Sequence, residues 1–445
     1  MSWQRKYSIP FVVITLLQLG QLFLYTPVYE LDINYYLKGA LHWDINHPPF
    51  YNVYLSVLHK IYPSVYLPVM IQLLTYCFVS SWLIVVLFDK RAKWVLLLAA
   101  IIAGIEPTAS FYNVSLLTES LFLSITLVML GCIVKYCETA DKKYLWAMGV
   151  GLGLAFSLRY LVLLYVPVFV GFVLWNHRKE GYLIPTKTII YLIPLFSCIS
   201  VVWVGQRIIT NVGIFNQTGK LRWDNCAQYY KPEYCKTTGW ICRTIDYEKD
   251  SGYFRDWTDY EQRFRAGNII KNKIANTKIS NLKLGDDMAD MFIGIFASEI
   301  EKHHYWEIRR DFLVENTTRL LTNNFLEYRY NYKSNDPVHQ DIKYLDSLMV
   351  ALYNFPNPPK ESLNPFWINS SYINTYAIGM WILALFSFTW FVVRFKKIEV
   401  SALWLFLFWF VPIMLLIFTI IPYKLRFVCI YFLPLIFFVI RIVRK

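Results

Sequence analysis

The sequence is short of charge: Asp, Glu, Lys and Arg make up 17% of 445 residues, against about 25% in ordinary globular chains. Glycine (18) and proline (19) are too sparse for a collagenous or Pro/Gly-rich disordered chain. Eight cysteines are too few for a disulfide scaffold. There is no Gly-rich nucleotide loop, no helical His-Glu metal motif, no internal repeat and no low-complexity tract. The first apolar run has no small-residue cleavage site behind it. Tyr29-Glu30-Leu31-Asp32 follows instead, so no cleavable signal peptide is expected.

Apolar residues fill the gap. They reach 56% of the chain and aromatics 18%, with a mean hydropathy of +0.36. Ten membrane helices would use about 200 positions, which this composition supplies. Ten apolar runs are present, at 9–26, 64–88, 93–108, 115–136, 144–158, 160–176, 188–208, 370–393, 400–421 and 425–441. The fifth and sixth would make one long helix, but Arg159 falls between them. A charge at the bilayer centre is costly, which predicts a turn there.

The net charge of +13 would favour nucleic acid in a soluble protein. Here the basic residues sit between apolar runs. Starting with the N-terminus inside, Arg5 and Lys6; Lys90, Arg91 and Lys93; Lys142 and Lys143; Arg178 and Lys179; Arg394, Lys396 and Lys397; and Arg441, Arg444 and Lys445 all fall on the cytoplasmic side. This positive-inside pattern leaves two segments outside, a first loop at 27–63 and a polar block at 209–369. No nucleic-acid partner is expected. The chain divides into a seven-span module (1–208), an extracytoplasmic domain (209–369) and a three-span module (370–445). The fold class is an all-α polytopic membrane protein with a mainly helical or mixed extracytoplasmic domain, helical patterning being clearest at 257–275 and 281–300.

Cys77, Cys132, Cys137, Cys198 and Cys429 lie in or beside spans and read as packing residues. Two of Cys226, Cys235 and Cys242 are candidates for a disulfide in an oxidising compartment; the pairing stays open.

Six ionisable residues stand at the same ends of the spans: Asp32, Glu106, Glu119, Arg159, Arg207 and Arg426. Charges at membrane depth pair with one another, face cavities and mark substrate paths. Single arginines also snorkel to the interface, but three arginines and three acids on one face point to a site. Guanidinium groups suit a phosphate, and a carboxylate beside them suits general-base chemistry on a hydroxyl. The substrate class is then a membrane-borne phosphate, such as a polyprenyl-phosphate headgroup. Glu106, just before Pro107, reads as an interfacial charge. His303, His304 and His339 read as solvated.

Five short segments carry a resemblance. They are Leu31-Asp32-Ile33-Asn34-Tyr35-Tyr36 with Ala40; Asn46-His47-Pro48-Pro49-Phe50-Tyr51; Leu117-Thr118-Glu119-Ser120-Leu121-Phe122; Gly151-Leu152-Gly153-Leu154-Ala155 through Leu158-Arg159; and Trp203 to Arg207 followed by Gly213 and Phe215. The turn Tyr423-Lys424-Leu425-Arg426-Phe427 adds to them. In order and spacing they resemble the GT-C class of lipid-phosphate-sugar-dependent membrane glycosyltransferases. The likeness is to the branch containing the lipid A aminoarabinose transferase and protein O-mannosyltransferase-like bacterial enzymes. It covers about 1–220 and, more weakly, the last three spans. The chain departs from relatives at Leu31, where many have a second acid. It departs again at His47, where Arg or Lys is common, and at Asn46, where the aminoarabinose transferase has an acid.

The resemblance implies an inverting glycosyltransferase of the inner (plasma) membrane with its site on the periplasmic side. A sugar would pass from a polyprenyl-phosphate donor to a lipid, glycan or protein acceptor. Asp32 would be the catalytic base, and Glu119 a second carboxylate that orients the substrate or pairs with an arginine; a helix-capping role competes for both. His47, Arg159, Arg207 and Arg426 would neutralise the donor phosphate. Tyr35 and Tyr36 would contact substrate, and Pro48-Pro49 would break two surface-lying helices, 33–43 and 50–62. No cofactor is required with certainty, and a divalent cation is left open with no metal ligands assigned. The rival classes are a lipid-linked-sugar flippase or transporter, and an O-antigen polymerase or ligase using a diphosphate-linked glycan.

Overall fold

Apolar runs without charges become helices because backbone polar groups deprived of water must bond within their own segment. In the computed structural model every run from 9 to 421 carries a helix, while 425–441 falls almost wholly outside the described residues. The structure describes residues 3–24, 36, 48, 50–88, 92–179, 185–210, 218–231, 234, 260–279, 282–322, 370–394, 399–418, 434–436, 438 and 439. They form α1 (Trp3–Leu24), α2 (Phe50–Ile61), α3 (Tyr66–Phe88), α4 (Lys93–Ile105), α5 (Pro107–Asn113), α6 (Thr118–Thr139) and α7 (Lys143–Leu158). A 3-10 turn (Tyr160–Tyr165), α8 (Val166–Lys179) and α9 (Pro185–Thr210) follow. Next come α10 (Thr218–Cys226), α11 (Tyr260–Asn276), β1 (Lys278–Ile279), β2 (Leu282–Lys283), α12 (Gly285–Thr322), α13 (Ser370–Arg394) and α14 (Val400–Phe418).

Among the described residues two helices, α3 and α6, are long and apolar enough to cross a membrane. Shorter apolar helices lie at Lys93–Ile105, Lys143–Leu158, Tyr160–Asn176, Ile189–Gly205, Ile378–Val393 and Val400–Leu415. α4 stops at Ile105 before Glu106 and Pro107, and α7 stops at Leu158 before Arg159. Thirteen residues of helix reach about 20 Å, short of a hydrocarbon core of about 30 Å.

The chain divides into two compact units. The first is Met1–Val202 with Leu320–Met414 and Lys424–Lys445; the second is Trp203–Arg319 with Leu415–Tyr423. In the first, α1 packs on α3 and α4, α3 on α6, and α6 on α7. α7 approaches α9 through Gly149 and Gly153. A Cβ on Gly149 would lie 2.1 Å from the Tyr191 carbonyl oxygen, and one on Gly153 would lie 2.8 Å from that of Pro194. Small residues four apart let helix backbones meet this closely. Aromatic contacts join the 3-10 turn and α8 to α14, with Tyr165 on Phe408 at 4.6 Å and Phe172 on Trp404 at 5.1 Å.

Among the described residues the second unit is helical apart from a four-residue antiparallel ladder, Lys278 opposite Lys283 and Ile279 opposite Leu282. Its core is Trp223, Cys226, Ile270, Ile274, Ala289, Ile293, Phe296 and Ile300. Cys226 is a free, buried thiol, which corrects its candidacy for a disulfide: its sulfur lies among apolar side chains, bonded to the Trp223 carbonyl at 3.6 Å. Cys235 and Cys242 lie outside the described residues. α12 is kinked at His304, whose φ of −127° and ψ of 28° are not helical.

Candidate functional site

The site is assembled from the irregular connector between α4 and α6. Glu106 is buried, at 3% exposure, and its Oε2 accepts the Ala109 amide at 2.6 Å. It therefore caps α5 and is not the interfacial charge expected from its neighbour Pro107. Side chains from other helices satisfy the exposed backbone that follows. Gln72 on α3 donates through Nε2 to the carbonyls of Tyr112, Asn113 and Ser115, at 3.3, 3.1 and 2.5 Å. Gln18 on α1 donates to the Gly104 carbonyl at 2.9 Å and accepts from Asn113 Nδ2 at 2.9 Å. Ser120 closes the chain by donating to Asn113 Oδ1 at 2.6 Å. Non-helical backbone among apolar helices persists only where protein groups satisfy it in this way.

This stitching fixes the first turn of α6, where Thr118 and Glu119 are fully buried. The expected turn at Arg159 is present. Its φ of −153° and ψ of 129° end α7 in extended backbone, and its amide still bonds the Ala155 carbonyl at 2.8 Å. The side chain, only 10% exposed, reaches α6. Arg159 Nε donates to Thr118 Oγ1 at 2.7 Å, and Nη2 donates to Glu119 Oε1. Thr118 Oγ1 lies 3.2 Å from Glu119 Oε2, donating to it. A hydroxyl has one proton, so in the 3.4 Å contact between Tyr36 and Thr118 the phenol is the donor. Tyr36 is 1% exposed, and its ring meets Tyr51 edge-on at 5.0 Å. Tyr51 in turn donates to Gln72 Oε1 at 3.3 Å.

A carboxylate, a guanidinium and two hydroxyls from distant parts of the sequence thus form one buried network. Glu119 makes no side-chain cap bond, Leu117 being at the N-cap of α6, but it lies in the first turn, where an acid also favours the helix dipole. Of the two active roles open to it, pairing with an arginine is the one observed. Gln72 and Gln18 were not singled out from the sequence, and Thr118 entered only as part of a resembling segment. The available signal was a polar residue inside an apolar run.

The other expected residues are distributed differently. Arg207, in the second unit, is about half exposed and pairs there with Asp287 at 2.6 Å. Asp32, Tyr35, His47 and Arg426 lie outside the described residues. His304 is not simply solvated: its Nε2 is 2.8 Å from the Tyr234 hydroxyl, and its ring stacks on Tyr229 at 5.1 Å. His303 is exposed, and His339 lies outside the described residues. Among the described residues no three His, Cys, Asp or Glu side chains gather as a metal site would require.

The second unit holds its own buried charges. Asp290 on α12 accepts the Gly219 and Lys220 amides at 2.8 and 2.9 Å and so caps α10. Lys220 Nζ donates to Asp224 Oδ2 at 2.6 Å, and Lys271 Nζ lies 3.9 Å from Asp290. Burial raises the Asp290 carboxyl above the usual range despite these donors, and burial lowers the Lys220 ammonium.

A helical, strongly apolar chain with a charge pair sealed among its helices is the description of a membrane-associated protein. The comparison with known families agrees. Residues 46–204 match the family model described as dolichyl-phosphate-mannose-protein mannosyltransferase. The match covers just over a third of the chain. It contains His47, Glu119 and Arg159, and leaves Asp32, Arg207 and Arg426 outside. No curated protein and no solved structure is a significant match.

Proposed function

We propose that this protein is an inverting glycosyltransferase of GT-C type. It moves a sugar from a polyprenyl-phosphate donor to a hydroxyl acceptor, a lipid, surface glycan or protein, on the extracytoplasmic side of the plasma membrane. The observation that carries the reading is the coincidence of the family match at 46–204 with the buried Glu119–Arg159 pair inside it.

In the proposed reaction, Asp32 accepts the proton of the acceptor hydroxyl as its oxygen attacks the anomeric carbon. The bond from that carbon to the phosphate oxygen breaks, and polyprenyl phosphate leaves with the electron pair. Arg159, held by Thr118 and Glu119, supplies fixed positive charge where the leaving phosphate develops its own. Glu119 is a positioning residue in this scheme, since its carboxylate acts through Arg159. His47 and Arg426 are the further donors proposed for the phosphate. Tyr35 and Tyr36 are proposed at the substrate.

The test is transfer of labelled sugar from polyprenyl-phosphate mannose, and from other polyprenyl-phosphate sugars, by the purified full chain in lipid discs. Product with the anomeric configuration opposite to the donor's supports the reading. Donor translocation without product would move the assignment to a flippase. Product from diphosphate-linked glycans alone would move it to a polymerase or ligase.

A further inference from the structure

α2 carries a buried amide with nothing to bond. Asn52 is 2% exposed, yet neither its Nδ2 nor its Oδ1 has a hydrogen-bond partner. Leaving a buried donor or acceptor unmade costs about 1–3 kcal/mol per group, so such a residue calls for an explanation. Its neighbours show that the position is imposed. Tyr51 is tied to Gln72 at 3.3 Å, and Tyr54 donates to the Pro68 carbonyl at 2.6 Å, both on α3. With these two given to α3, Asn52 points about 100° round the helix from Tyr51 and farther still from Tyr54. α2 also packs on α7, the helix that ends at Arg159. The residue beside Asn52, Tyr51, touches Tyr36, and Tyr36 reaches Thr118 in the Arg159–Glu119 network. The unbonded amide thus belongs to the residue next in sequence to one whose ring joins the proposed site's network.

We infer that Asn52 reads a hydroxyl group of the donor sugar. The chemistry of the carboxamide selects the ligand. It offers one acceptor and two donors. A phosphate accepts only and would leave Oδ1 unpaired, whereas sugar hydroxyls both donate and accept and satisfy the two ends together. This assignment rests on the reading that the chain binds a lipid-phosphate sugar. It adds the residue that distinguishes one sugar from another.

The experiment compares wild type with Asn52→Leu, which keeps the volume and removes the amide. Unfolding temperature is measured with no addition, with polyprenyl phosphate, and with polyprenyl-phosphate mannose or glucose; transfer is measured in parallel. The expected result has three parts. Asn52→Leu melts higher than wild type, because a buried unmade pair is gone. Bare polyprenyl phosphate stabilises both proteins equally. One sugar-bearing donor stabilises wild type further, and that increment is lost in the variant with about a tenfold fall in donor affinity. If no sugar adds to the effect of polyprenyl phosphate in wild type, or if Asn52→Leu keeps the increment, Asn52 is a packing residue only and the inference is overturned. Sugar-dependent stabilisation lost in the variant, with no transfer by wild type from any donor, would uphold Asn52 as a reader while removing the enzyme assignment.

Discussion

Arg159 and Glu119, forty residues apart in sequence, form a charge pair that is one-tenth exposed on the arginine side and fully buried on the other. Removing one partner of such a pair strands the other charge away from water, at a cost of about 3–5 kcal/mol. Glu119→Gln and Arg159→Met are each expected to lower stability by that order. The pair Glu119→Leu with Arg159→Met is expected to recover most of it while sugar transfer stays lost. Thermal unfolding and transfer rates of the three variants check this. A double variant destabilised by the sum of the two singles would mean the charges act separately.

Thr118 is the hub at which Arg159, Glu119 and Tyr36 meet. Thr118→Val keeps the shape and removes the oxygen. It is expected to cost about 1–3 kcal/mol, because Arg159 Nε loses its acceptor. Transfer should fall through kcat more than through the donor KM, since the guanidinium loses its aim and not its charge. Steady-state kinetics of the variant separate the two effects.

Gln72→Leu tests the connector. Three carbonyls between Tyr112 and Ser115 lose their donor, a loss of at least about 2 kcal/mol. Because the connector sets the first turn of α6, the variant should also lose transfer, although residue 72 is outside the proposed chemistry. Normal activity in a destabilised Gln72→Leu protein would show that the connector does not position the site.

Gly149→Ala tests the approach of α7 to α9. Its new methyl would lie 2.1 Å from the Tyr191 carbonyl oxygen, which backbone cannot relieve by changing a rotamer. Overpacking of this kind costs about 1–3 kcal/mol. Gly20→Ala in α1 meets nothing within 4 Å and is the control. Equal unfolding temperatures for the two variants would contradict the packing described.

In the second unit, burial holds the Asp290 carboxyl above its ordinary range. The folded state then binds a proton that the unfolded chain has released. Stability should fall as pH rises from about 3.9 through the raised value. Asn at this position cannot titrate, so Asp290→Asn is expected to flatten that limb of the profile. Unfolding midpoints of both proteins across the acidic range check the sign.

Much of the architecture was legible because long apolar runs have few alternatives to helix, and Arg159 marked its turn by being costly inside one. The site was legible in part. Glu119 and Arg159 stood out as charges among apolar residues, but their pairing joins two helices and has no local signature. Glu106 misled because Pro107 suggests an interface, whereas the acid caps the helix that this proline begins. Gln18, Gln72 and Asn52 escaped notice because a single amide in a span carries no pattern until the backbone it serves is seen.

The most direct test is the effect of Asp32→Asn on transfer from the polyprenyl-phosphate donor that wild type uses. The account predicts that the variant is still stabilised by donor, to the same degree as wild type, and forms less than about 1% of the product, as loss of a general base entails. Product at the wild-type rate would remove Asp32 from the mechanism and contradict the reaction proposed for this protein.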